Sequence, residues 1–260
     1  MNHQVNTKLT KKNTSVPIQV GITGQNGFIG SHLVNFFRMQ NDIKVIEFSR
    51  EYFTSPEILE NFVSKCDVII QLAAMSRSSN HKLLYENNIE LDQKLIKALY
   101  NTHSKTHVLF ASTTHEMRDG DYYASKRDGQ NLFKQWVVQS SSKFTVMIMP
   151  NTFGPYGKPF FNSVVSTFCY KVAHDENPEI IIDAPVNLIY IHELCKDFYK
   201  VIRENIDSKS YTPVATTTIK VSEILDLLLG FRESYVDQQV IPKFKNQFEL
   251  FLFETFISYL

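Results

Sequence analysis

Ile18-Gln19-Val20-Gly21-Ile22-Thr23-Gly24-Gln25-Asn26-Gly27-Phe28-Ile29-Gly30 decides the reading of this chain. The apolar run from Pro17 to Thr23 has the make-up of a buried strand and ends on a G-x-x-G-x-x-G turn. Phe28, Ile29, Leu33, Val34, Phe36 and Phe37 then recur at helical spacing. Strand, glycine turn and amphipathic helix in this order predict a dinucleotide cradle. Gly24 permits the tight turn, Gly27 lets main chain approach a pyrophosphate, and Gly30 lets the helix lie close to the strand. Free N–H groups where the helix starts, at Phe28 and Ile29, favour the phosphates together with the helix dipole.

The stretch from Ile43 to Arg50 reads as the second strand and its exit. A carboxylate about 20 residues past the glycines would hold the ribose hydroxyls of NAD. Phe48, Ser49 and Arg50 occupy that region. A guanidinium fork suits phosphate oxygens, so Arg50 beside Ser49 predicts a bound 2′-phosphate, and NADPH over NADH.

A second motif, Tyr122-Tyr123-Ala124-Ser125-Lys126, follows Phe110-Ala111-Ser112-Thr113. Residues four apart share a helix face, which sets Lys126 beside Tyr122. A free tyrosine has a pKa of about 10. A neighbouring ammonium and a cationic nicotinamide ring bring it nearer the working pH, where it can trade a proton. Thr113 is the expected hydrogen-bond donor to the substrate carbonyl oxygen that trades a proton with Tyr122, with Ser112 the less favoured one.

Strands are expected near Ile18–Thr23, Val45–Phe48, Val68–Leu72, Val108–Ser112 and Phe144–Met149. Helices are expected near Phe28–Met39, Ser55–Ser64, Leu83–Asn101 and Tyr122–Val138. This alternation predicts an α/β fold, a Rossmann-type doubly wound parallel sheet wrapped on both faces. Right-handed crossovers gather the strand ends, and with them both motifs, on one ligand-binding edge. Residues 17–150 form the expected core. Residues 151–260, opening on the turn-rich Gly154-Pro155-Tyr156-Gly157-Lys158-Pro159, make mainly a small substrate-binding lobe and C-terminal helices. Phe248 to Leu260 reads as a helix packed on the body. Residues 1–16, polar and lysine-rich, read as a flexible extension.

With 27 basic and 27 acidic residues the formal charge is zero, which argues against binding nucleic acid or a membrane surface by bulk charge. At 43% hydrophobic residues there is material for a full core, yet no window is long enough to span a bilayer. Cys66, Cys169 and Cys195 are far apart, with no metal or disulfide spacing, and predict buried thiols in a reducing cytoplasm. No metal is expected.

Five stretches in order resemble the extended short-chain dehydrogenases/reductases, the NAD-dependent epimerase/dehydratase group. They are Thr23 to Gly30, Asp67 to Ala74, Asn88 within Asn87-Asn88-Ile89, Tyr122 to Lys126 with Gly129, and Asn151-Thr152-Phe153-Gly154-Pro155. The run from Asn151 to Cys169, the short link from Ser112 to Tyr122, Leu188 to Ile191 and the closing Phe253 to Leu260 are similar to the reductase domain of capsular-polysaccharide enzymes. Those act on UDP-linked 4-keto-6-deoxy-N-acetylhexosamines. The resemblance implies further cofactor contacts from Leu72, Ala73, Ala74, Asn88, Lys126 and Asn151. It implies substrate contacts from Thr113, Tyr122, Asn151 and Asn162. Phe160 and Phe161 read either as a wall for the uracil or as core packing, and Lys158 either as a diphosphate contact or, more readily, as a solvated surface lysine. It also implies a homodimer through the helices at Leu83–Asn101 and Tyr122–Val138, with Leu132, Phe133, Trp136 and Val137 serving either that contact or the core.

The chain departs from the family's habit at several positions. Met147-Ile148-Met149 stand where an arginine is common, Tyr123 where glycine is, Gln130 where glutamate is, and His192 where aspartate is. Longer members continue into a cupin domain; this chain ends at Leu260, so no cupin-borne epimerase activity is expected of it. The expected function is NADPH-dependent reduction of the sugar's C4 ketone. The alternatives are a 4-epimerase or a 4,6-dehydratase with tightly held NAD, and a non-catalytic NADP(H) sensor; Glu116 is the candidate acid for the dehydratase, although the segment after it is short for the usual arrangement.

Overall fold

β1, Ile18–Thr23, passes from a half-buried start at Ile18 and Gln19 into complete burial at Val20–Thr23, because strands pair on both its sides. The computed structural model describes residues 16–207 and 209–260; the expected extension at residues 1–16, save Val16, lies outside them. From β1 the chain runs through α1 (Phe28–Arg38), β2 (Ile43–Ile46), a 3₁₀ turn (Arg50–Thr54), α2 (Pro56–Val63) and β3 (Val68–Gln71). α3 (His81–Asn101), β4 (His107–Thr113), α4 (Asp121–Ser140) and β5 (Phe144–Met149) follow. With β8 (Ser210–Tyr211) these strands form a six-stranded sheet in the order β2-β1-β3-β4-β5-β8, parallel at every pair. The order reverses at β1, whose neighbours are β2 and β3, so a crevice opens at the carboxyl ends of β1 and β3.

Successive strand residues point to opposite faces. Val68 and Ile70 of β3 and Leu109 of β4 join a core with Leu33 and Phe37 of α1. Ile69, Val108 and Phe110 join a second core with Leu95 of α3 and Phe133 and Trp136 of α4. Phe133 and Trp136 are thus core residues, while Leu132 stays partly exposed. β2 ends two residues before the expected Phe48. Its register from Ile18↔Ile43 to Gly21↔Ile46 uses up the pairing with β1, and Phe48 turns into an aromatic cluster with Phe53 and Phe62.

After β5 the chain forms β6 (Asn151–Phe153), α5 (Val164–Ala173), β7 (Pro185–Tyr190), α6 (Ile191–Arg203), β9 (Thr217–Lys220), α7 (Val221–Phe231), a π turn (Arg232–Asp237) and α8 (Gln247–Ile257). β7 pairs parallel with β6 and antiparallel with β9 in a three-stranded sheet. α6 packs back on α1, where His192 meets Phe36 edge to face at 5.2 Å. α8 buries Phe248, Leu252, Phe253 and Phe256, and Phe251 stacks on Tyr190 at 4.0 Å. All three thiols are buried, and burial pushes those of Cys66 and Cys195 up to about 12. Among the described residues no helix is long and apolar enough to cross a membrane.

A Cβ placed on Gly30 would meet the Gly24 carbonyl oxygen at 2.3 Å and the Gln25 Cα at 2.7 Å, both main-chain atoms that cannot swing aside. Gly30→Ala is therefore expected to cost about 1–3 kcal/mol of stability, the usual range for overpacking. A urea midpoint equal to wild type would contradict this.

Candidate active site

The glycine turn is built tightly. Gly24 takes φ +71°, and a Cβ there would stand 3.1 Å from the Ala73 nitrogen. Gly27 donates its N–H to the Gly24 carbonyl at 3.0 Å. Gly27 also caps α1 with no side-chain hydrogen bond, and the first turn, starting at Phe28 and Ile29, carries no acid. A bare main chain and an uncapped helix start fit a pyrophosphate.

Gln25 has a role that the spacing of the glycines does not reveal. Its side-chain amide accepts from Phe48 N at 3.3 Å and donates to the Phe48 carbonyl. This clamp sets the exit of β2 beside the turn and brings Ser49 and Arg50 there. Two carboxylates flank these residues. Glu47 is exposed and faces Arg38 at 4.0 Å, while Glu51 accepts a hydrogen bond from the Ser49 hydroxyl. At the exit of β3, Leu72 and Ala73 both donate their N–H groups to Thr23 Oγ1, each at 3.1 Å, and Ala74 continues the loop. Asn88 is buried and braces this loop rather than opening on it. It accepts from Met75 N at 2.6 Å and donates to the Met75 carbonyl and to Ser125 Oγ.

A cleft of about 990 Å³ lies at this edge and brings together Ile29, Ser112, Thr113, Tyr122, Asn151 and Asn162. Thr113 Oγ1 accepts from His115 N at 3.2 Å, which leaves its proton for an oxygen in the cleft. Ser112 is committed elsewhere: its hydroxyl donates to Glu116 Oε2 at 2.6 Å, and Gln130 donates to both. Tyr122 lies edge to face with Tyr123 at 5.4 Å. Burial, and then Tyr123, push its phenol above the ordinary value, against the lowering expected from Lys126. Lys126 is 6% exposed, with Nζ 4.9 Å from the Phe110 ring centre and 5.9 Å from that of Tyr122. Burial lowers the Lys126 pKa, and the charge of Asp92 opposes that.

The cleft mouth is bridged. Asn162 Nδ2 donates to Ser76 Oγ at 2.9 Å, and Arg77 donates to the Phe160 carbonyl at 2.8 Å. Arg77 and Lys158 both stand over the Phe161 ring, at 5.9 and 5.2 Å. Phe160 and Phe161 are exposed here, so neither is a core residue. His115 lines the cleft with Asn151; burial lowers its pKa, and the Asn151 side chain opposes that. Sequence reading missed Gln25, Arg77, His115 and Asp92 as site residues. Only Asp92 left a usable signal: a charged residue in the buried stripe Leu84, Asn88, Asp92, Leu95 and Leu99 of α3.

The glycine turn at a switch point, with a Tyr–Lys pair on the same edge, defines a class of α/β dinucleotide-binding proteins of the short-chain dehydrogenase/reductase type. The model of the NAD dependent epimerase/dehydratase family matches residues 20–212, and the chain belongs to that family. A Pseudomonas aeruginosa UDP-2-acetamido-2,6-beta-L-arabino-hexul-4-ose reductase is 27% identical over 219 residues, 84% of this chain and 58% of the relative. The capsular polysaccharide assembling protein CapF from Staphylococcus aureus superposes with a TM-score of 0.78 at 27% identity, covering 94% of this chain and 65% of that one. RMD from Pseudomonas aeruginosa, solved with NADPH, shares the fold at a TM-score of 0.80 and 14% identity, covering 94% and 97%. The chain thus spans under two thirds of the length of the reductase and of CapF.

Gln25→Leu keeps the side-chain volume but releases the Phe48 main chain. It is expected to cost about 1–3 kcal/mol, as for stranding partly buried polar groups, and to weaken dinucleotide binding. An unchanged urea midpoint and unchanged cofactor titration would refute the clamp.

Proposed function

We propose that the chain reduces the C4 ketone of a UDP-linked 4-keto-6-deoxy-N-acetylhexosamine with NADPH. The observation that carries this reading is the meeting of Thr113 and Tyr122 in one cleft, with Lys126 behind Tyr122, at the edge bearing the glycine turn. The 27% identity to a reductase of such a sugar supports the substrate class. Gly24, Gly27, Gly30 and the N–H groups at Phe28 and Ile29 would hold the pyrophosphate. Arg50, with Ser49, would hold the 2′-phosphate; Leu72, Ala73, Ala74 and Asn151 would wall the dinucleotide, and Asn88 would keep that wall in place. When bound, NADPH supplies the hydride.

Tyr122 gives its proton to the sugar oxygen as negative charge develops there, and Thr113 donates a hydrogen bond to the same oxygen. A phenol held above its ordinary pKa by burial stays protonated and ready to donate. Lys126 stabilises the tyrosinate that is left and orients the ribose. Asn162, Arg77 and Lys158 lie where the nucleotide end of the substrate enters, and its binding fixes the ketone for reaction. Glu116, the acid a dehydratase would need, is held by Ser112 and Gln130, which favours simple reduction. Glu51 beside Ser49 is the feature that favours NADH instead.

We read the outer face of α3 and α4 as a homodimer contact, supported by a shallow hollow of about 380 Å³ lined by Tyr100, Leu132 and Trp136. Three buried thiols suit a reducing cytoplasm. Light scattering is expected to give the mass of two chains, and a monomer mass would overturn the contact. NADPH absorbance is expected to decay with the 4-keto sugar, and Tyr122→Phe to lower kcat by at least about 100-fold. Arg50→Ala is expected to raise KM about tenfold for NADPH and leave that for NADH unchanged. Cofactor binding without turnover on either the D-xylo or the L-arabino keto sugar would refute the reductase.

A further inference from the structure

We infer that Asp92 is a positioning residue that keeps Lys126 cationic, through a buried polar line from the glycine turn to the Tyr–Lys pair. This rests on the reductase reading above. Asp92 lies on α3 and is 4% exposed. A buried carboxylate is costly unless it is paired and hydrogen-bonded. Here Oδ1 accepts from Gln71 Nε2 at 2.8 Å, and Gln71 Oε1 accepts from Thr23 Oγ1 at 2.6 Å. Thr23 is the residue from which Gly24 turns, and its hydroxyl also holds Leu72 and Ala73. The line thus joins the cofactor edge to the space beneath the catalytic lysine.

The other carboxylate oxygen explains Gly129. A Cβ at that position would stand 2.3 Å from Asp92 Oδ2 and 3.2 Å from the Phe110 ring. Gly129 is three residues past Lys126, on the same face of α4. The missing side chain gives room for a carboxylate beside Phe110, the ring over which the Lys126 ammonium lies. Carboxylate and ammonium therefore flank one buried ring; they form no direct ion pair among the described residues, and their attraction acts across this space, where a low dielectric screens it less than water does.

The groups around Asp92 leave one charge to act on it. α4 presents Lys126, with Tyr122 one turn before it. β3 presents Gln71 and β4 presents Phe110, and neither titrates. α2 brings apolar Leu59, Phe62 and Val63 to the same core, and α3 itself brings Asn88 and Leu95. Burial shifts Lys126 toward its neutral form, and Asp92 opposes this. Burial pushes Asp92 up to about 7, while Lys126 and the Gln71 amide pull it down. Above that pH the carboxylate is charged and holds the lysine charged. Below it Asp92 is protonated, and Lys126 needs no help because protons are abundant.

The test is Asp92→Asn, a neutral isostere, followed by kcat against pH in keto-sugar reduction. The variant is expected to match wild type at pH 6 and to fall at least about tenfold below it by pH 9, as the unsupported lysine loses its proton. A merely structural role would give a pH-independent ratio, and that result overturns the inference. Lys126→Met supplies the control: adding Asp92→Asn to it should cause no further loss, whereas additive losses would also overturn the inference. Gln71→Leu removes the amide that favours the carboxylate, so its rate should stay level with Asp92→Asn to a higher pH than wild type does; a wild-type profile counts against the line. Should Lys126→Met keep wild-type turnover, the reductase mechanism itself falls, an outcome distinct from the failure of Asp92 alone.

Discussion

The Thr23 hydroxyl is the tie on which the site depends. It is fully buried at the carboxyl end of β1, donates to Gln71, and accepts the N–H groups of Leu72 and Ala73. One proton and two lone pairs are all that a hydroxyl has, and all are used. Twist rotates adjacent strands against one another, and this tie holds the ends of β1 and β3 together where the strand order reverses. Gly24 then has to turn at once, at φ +71°, with the Ala73 main chain against it. Threonine and glycine here express one constraint: the crevice that could take a dinucleotide exists because two strand exits are clasped and the chain between them is bare.

What the sequence made legible is what is periodic or local. Strand β1, the glycine turn, α1 and the four-residue step from Tyr122 to Lys126 all sit within one or two elements, so their spacing carries their geometry. β2 was misplaced by two residues because its end is set by pairing with β1 and by Gln25, 23 residues before Phe48. β8 was not foreseen at all: two residues that join the sheet beside β5 leave no pattern. The polar contacts of the site were hidden for the same reason. Gln71 meets Asp92 across 21 residues, and Ser112 meets Gln130 across 18, each through side chains that look unremarkable in their own segments.

Tyr122 shows why motif reading and site chemistry differ. Spacing set Lys126 beside it, and the structure does so, at 5.9 Å from ammonium to ring centre. The sign of the pKa shift comes from burial and Tyr123, and neither can be read from a four-residue step. Burial penalises the tyrosinate and the ammonium alike. Burial of both groups favours a compensating charge nearby, and α3 carries the buried Asp92.

The wall and the mouth of the cleft are held by forces of different size. Thr113 ends a buried strand, and Tyr122 and Lys126 sit on a helix whose next turns, at Phe133 and Trp136, are core. The mouth is closed by exposed contacts: Asn162 to Ser76, Arg77 to Phe160, and two cations over Phe161. Exposed cation–π pairs contribute about 0.5–1 kcal/mol each, and exposed hydrogen bonds exchange readily with water. Reshaping the mouth therefore costs far less than moving the wall. The positions of Thr113, Tyr122 and Lys126 are fixed by the core of the fold, while the contacts at the mouth adapt at small cost.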